Sequence, residues 1–101
     1  MTYKEQLWYL INGLRDGSYN AEDFCSEFTR IFDLEIDYET LSEQEEIEFS
    51  ELSDMTARFS DDLEMLSIPN VYFNENQIRE KVNSIAKLPI NPKPLVSKIN
   101  R

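Results

Sequence analysis

Glycine occurs only at positions 13 and 17 of this 101-residue chain, and all four prolines lie at Pro69 or beyond. An all-β fold of this size needs Gly- and Pro-rich turns every ~8–12 residues. With so few breakers, the first two thirds of the chain has to be punctuated by helix caps instead. Four such starts are written in the sequence. Leu7, Leu10, Ile11 and Leu14 recur at i, i+3, i+4, i+7, predicting a helix over about Thr2 to Arg15 that Asp16-Gly17 stops. Asn20 caps a second helix, with Glu22 and Asp23 in its first turn, Tyr19 as a staple onto Phe24, and a stripe of Phe24, Phe28, Ile31 and Phe32. Its end is open, because Leu34, Ile36 and Tyr38 alternate with acids as either a short extended segment or a fraying helix would.

Ser42-Glu43-Gln44-Glu45 is a capping box that starts a third helix at Glu43 with a core face of Phe49, Leu52, Met55 and Phe59. Ser60 to Asn70 reads as a loop. Asn74 and Gln77 repeat the capping grammar, Phe73 can staple to Ile78, and Ile78, Val82 and Ile85 face inward on a fourth helix that Leu88-Pro89 ends. Residues 1–88 therefore form one all-α domain, an antiparallel four-helix bundle. Residues 89–101 are a basic, proline-containing tail, expected to be mobile and able to lie on the acidic body.

Forty-one per cent hydrophobic residues, 12% of the chain being aromatic, are enough for one packed core. No apolar run approaches the ~18 residues of a membrane span, and no secretion signal stands at the start. A single cysteine excludes an internal disulfide and fits a cytoplasmic location. The chain has no histidine, which removes the usual general base, the usual activator of a Ser or Cys nucleophile and the commonest transition-metal ligand. The expectation is a protein that is not an enzyme and carries no cofactor.

Charge points the other way, toward a partner. Between Asp33 and Glu64 stand 13 carboxylates and one cation, Arg58, a formal −12 within a chain whose net charge is −10. Concentrated charge of one sign repels nucleic acid and anionic lipid and steers basic proteins. It also opposes folding, and solubility alone is met by mixed charge, so such a cost suggests use. Asp33, Glu35, Asp37 and Glu39 resemble half a calcium loop, but Tyr38 stands where that loop needs glycine and Gln44 where it needs a bidentate Glu. A di-metal bundle site needs Glu-x-x-His, and the carboxylates are expected opposite the apolar stripe. Cys25 is flanked by acids, the reverse of a thiolate-stabilising setting, and reads as a small buried apolar residue. Trp8 and Tyr9 are adjacent, so one of them has to be partly exposed.

Tyr9-Leu10-Ile11-Asn12-Gly13, Gly17 through Phe24, Leu41 through Glu45, Arg58 through Asp62 and Gln77 through Val82 together resemble the bacterial self-protective colicin-like immunity family. Colicin D immunity proteins and the immunity proteins of contact-dependent inhibition systems are of this type. The resemblance spans roughly residues 3 to 88 and is a pattern of helix starts and acidic turns. The tail departs from it. It implies a four-helix bundle that binds the nuclease domain of a cognate toxin, commonly a tRNA-cleaving RNase, with acidic side chains in the cationic cleft built for RNA. By position, Asp61 and Asp62 match the family's acidic turn after the third helix, with Glu45 and Glu48 on the helix leading to it. The expected partner-binding residues are Glu45, Glu48, Asp61, Asp62 and Glu64, in a 1:1 complex with a basic protein and without direct contact to nucleic acid or membrane. A second reading is an acidic adaptor or nucleic-acid mimic for another basic protein. A third, a carboxylate enzyme, requires two carboxylates with raised pKa in one concavity.

Overall fold

A computed structural model describes residues 1–88; the expected tail at 89–101 lies outside the described residues. The element order is α1 (Tyr3–Asp16), α2 (Ala21–Arg30) running into a π turn (Ile31–Glu35), a 3-10 turn (Tyr38–Thr40), α3 (Glu43–Ala57), the one-turn α4 (Leu63–Leu66) and α5 (Glu75–Lys87). Three of the four long helices start where the capping grammar places them, and α1 lies where its apolar spacing does. Capping boxes close at Thr2/Glu5, Ser42/Glu45 and Asn74/Gln77, and the Asp23 amide donates to Asn20 Oδ1 at 2.7 Å. α1 ends on Gly17 at φ 89°, the left-handed conformation that glycine adopts without a Cβ penalty.

Each helix packs on two neighbours, α1 on α2 and α5, and α3 on α2 and α5, giving an up-and-down bundle. Its core is Leu7, Ile11 and Leu14 from α1, Phe24 and Phe28 from α2, Phe49 and Leu52 from α3, and Ile78, Val82 and Ile85 from α5, all fully buried. Aromatic rings join these layers: Phe28 meets Phe49 edge-on at 5.7 Å, and Trp8 meets Phe49 at 5.1 Å. Among the described residues, no helix is long and apolar enough to cross a membrane.

Two departures from the sequence pattern are informative. The second helix neither frays nor extends at Ile31. It widens into the π turn, with the Ile36 amide donating to the Ile31 carbonyl at 2.9 Å, which carries Ile31 and Phe32 inward while leaving Leu34 exposed. The connector over residues 60–70 is also more structured than a plain loop. Phe59 and Phe73 form a bridge through Ser60 N–H to Phe73 O and Phe73 N–H to Arg58 O, both at 2.9 Å, and α4 forms between them. On α3 only Phe49 and Leu52 of the expected stripe are fully buried. Met55 and Phe59 are half-buried, while Glu45, Ser53 and Thr56 go inside.

Candidate functional site

Glu45 is not on the surface. It stands four residues before Phe49, on the same face of α3, and is fully buried. Its carboxylate accepts from the Ser42 amide at 2.8 Å and Trp8 Nε1–H at 2.8 Å, and Lys4 Nζ lies 3.2 Å away. The expectation that the α3 carboxylates oppose the apolar stripe is corrected here: one of them completes it, because three donors make burial of the charge tolerable. Trp8 is half-buried over this contact and Tyr9 is the exposed member of the pair.

Glu48 is largely enclosed as well. Lys81 Nζ reaches it at 2.9 Å and Glu51 at 2.6 Å, a clasp from α5 to α3. Burial pulls the Lys81 ammonium down, but the hydrogen bonds it donates to Glu51 and Glu48 more than offset this and hold its pKa above the ordinary lysine value. Glu45 and Glu48 thus serve the bundle. They also lie roughly 15–20 Å along the helix axis from the Asp61 turn, at ~1.5 Å per residue. The five expected residues do not form one patch.

Asp61, Asp62 and Glu64 do come together. All three are exposed on the connector that leaves α3. The Asp62 amide donates to Ser60 Oγ at 3.0 Å, and Asp62 Oδ1 accepts from the Glu64 amide at 2.9 Å, capping α4. No cation among the described residues pairs with any of the three. The nearest cation in sequence, Arg58, is held by Asp54 and lies over the Phe73 ring at 5.2 Å. The backbone of α3 ends here too, and its C-cap cation, Arg58, is taken up by Asp54, so its remaining carbonyls add negative potential to the carboxylates.

Antiparallel packing brings the start of α2 to the same end of the bundle. Asp61 and Glu22 line one ≈ 330 Å³ pocket with Ser26, Ser60, Phe59 and Cys25. Glu22 was legible only as a favourable charge in a first turn. Its second position, facing the end of α3, follows from the packing of α2 against α3. Cys25 is buried behind this lining, and burial, with Glu75 nearby, pushes its thiol up to about 12. That removes it as a nucleophile at neutral pH.

Of the remaining carboxylates, Glu5 is held low by the Thr2 amide and hydroxyl, and Asp16 by the Ser18 hydroxyl and amide. Both shifts run opposite to those a carboxylate acid catalyst needs. Among the described residues, no group of three or more Asp, Glu or Cys side chains is placed to hold a metal ion. Compared with known proteins, the chain matches no family profile, no curated protein and no solved structure.

Proposed function

We infer that this chain is a binding protein that neutralises a basic partner, with Asp61, Asp62, Glu64 and Glu22 as the charged part of the contact. One observation carries this reading: the end of the bundle formed by the α3 C-terminus carries four carboxylates that no cation among the described residues pairs with. Along α3, four of the six acids do have cations: Glu45, Glu48, Glu51 and Asp54. A surface left uncompensated in this way is complementary to a cationic cleft, such as the one a nuclease uses to hold a phosphate backbone. The sequence resemblance to colicin-like immunity proteins supplies the specific form: a cytoplasmic inhibitor of a toxin nuclease domain, acting by occupancy and without catalysis.

The test is charge reversal in the full chain. Asp61→Lys with Glu64→Lys removes two of the carboxylates and spares the α4 cap made by Asp62. The double variant is expected to keep the wild-type circular dichroism spectrum, to associate more slowly with the nuclease domain encoded directly upstream of its gene, and to lose protection of cells expressing that domain. Full protection at normal expression would refute this surface. The adaptor reading predicts instead that no toxin gene adjoins this one.

A further inference from the structure

The connector that carries the acids also carries the densest run of exposed large hydrophobics among the described residues. Leu63, Met65, Ile68 and Val71 are exposed at 82, 38, 44 and 37%, so four of the ten large hydrophobics exposed among the described residues fall within nine positions. Leu63 is the most exposed of the ten. Isolated exposed aliphatics need no explanation, but a cluster on one segment marks an interaction surface.

The segment is held in a way that suits such a role. Its two ends are tied by the Phe59–Phe73 bridge, so residues 60–72 form a closed Ω-loop rather than a loose tether. Half-buried Phe59 and Phe73 pack against the bundle core at its base, and the Arg58 guanidinium lies over the Phe73 ring. Inside the loop, α4 is capped by Asp62, the Ser67 hydroxyl donates to the Glu64 carbonyl at 2.6 Å, and Asn70 takes the left-handed turn at φ 63°. A short loop braced at so many points presents Leu63 at little further ordering cost on binding.

We propose that the Ω-loop of residues 60–72 is the anchor of the interface with a basic protein: Leu63 and Ile68 enter an aliphatic-lined recess while Asp61, Asp62 and Glu64 pair with cations on its rim. The proposal rests on the functional reading above and adds to it what holds the complex once formed. Charge selects the occupant. Residues 60–72 contain three acids and no Lys or Arg, so a second copy seated on the same loop would bring six carboxylates together, and an anionic lipid surface would be repelled. A cationic protein surface meets both parts of the loop at once. The division of labour is then kinetic, with the acids governing association and the apolar side chains governing dissociation.

The probe is the nuclease domain encoded directly upstream of this gene, measured against the full chain by stopped-flow and surface capture. Leu63→Ser with Ile68→Ser is expected to raise Kd about tenfold to a hundredfold, mainly through faster dissociation. Both side chains are exposed, so the thermal melt should stay at its wild-type value. D61K/E64K is expected to slow association instead. If the serine variant binds like wild type while D61K/E64K does not, the anchor is refuted and the acidic contact stands. If wild type itself fails to bind the domain, the functional reading falls and the anchor with it. Sedimentation of the chain alone gives a further decision: it is expected at the 12.0 kDa monomer mass, and a dimer dissolved by L63S/I68S would assign the loop to a second copy and overturn the proposal.

Discussion

Truncating Glu45 to Ala tests the clearest departure from the surface reading of the acids. Three losses can be separated. The Trp8 indole N–H gives up a 2.8 Å bond to a charged acceptor, worth about 1.5–3 kcal/mol. The reciprocal half of the α3 capping box disappears, at about 1 kcal/mol. Lys4 loses its carboxylate, but its side chain is 17% exposed and also donates to the Thr40 carbonyl at 3.2 Å, so stranding it adds only about 1 kcal/mol. Together these give about 3–5 kcal/mol, the range found when one partner of a buried pair is removed. That is a large share of the ~5–15 kcal/mol available to a domain of this size. Urea unfolding followed by the fluorescence of Trp8, the only tryptophan, reads both the stability and the local contact. Glu45→Gln, which retains an acceptor without the charge, should fall between wild type and Glu45→Ala. A loss below about 1 kcal/mol in Glu45→Ala, with Trp8 emission unchanged, would refute the buried-buttress account.

Two other side chains give sharp outcomes. Cys25, buried with its pKa pushed up to about 12, should resist thiol reagents in the folded protein at pH 8 and react only on unfolding. Because its folded pKa lies above the unfolded value of 9.0, the stability it contributes is fully present below pH 9 and is lost as pH rises toward 12; Lys81, also raised, loses its share in the same alkaline direction. An alkaline melt that fails to fall over that window would contradict both shifts. Gly13→Ala would ordinarily stabilise a helix interior by about 1 kcal/mol. Here a Cβ would stand 2.5 Å from Tyr19 Cδ2, and the Gly13 carbonyl accepts from the Ser18 and Tyr19 amides, so the expected result is a loss of about 1–3 kcal/mol in a thermal melt. A rise in Tm would show that Tyr19 moves freely.

What the sequence made legible, and what it hid, divides by physical cause. Caps are local, and Asn20, Ser42 and Asn74 therefore mark helix starts with no knowledge of the fold, whereas the Thr2 box at the head of α1 went unread. The apolar stripes of α1 and α5 are equally local and hold in the structure. Glu45 was misread because its residue type outweighed its register: it lies on the Phe49–Leu52 face, and only the arrival of Lys4 and Trp8 from α1 makes that position hospitable to a carboxylate. The α4 turn was missed because a single turn has no periodicity to detect, although Asp62-Leu63-Glu64 contains its cap. The pairing of Glu22 with Asp61 depends on which helix ends meet, and no pattern within either helix reports it.

The acid run from Asp33 to Glu64 can be sorted by asking what each carboxylate does for its own fold. Asp33 accepts from the Ser53 hydroxyl at 2.9 Å, Glu35 pairs with Arg30, and Asp37 caps the 3-10 turn. Glu43 and Glu46 stand in the first turn of α3, where the helix dipole favours negative charge. Glu45, Glu48, Glu51 and Asp54 each have a cation. Asp62 caps α4. Asp61 and Glu64 have no such employment: their side chains make no hydrogen bond or ion pair among the described residues, and they sit where the α3 dipole disfavours them. Bulk charge alone would treat all thirteen as equivalent. Subtracting the local roles leaves Asp61 and Glu64 together with the isolated Glu39, and only Asp61 and Glu64 stand beside the most exposed leucine of the described residues, where the fold itself has no use for the charge.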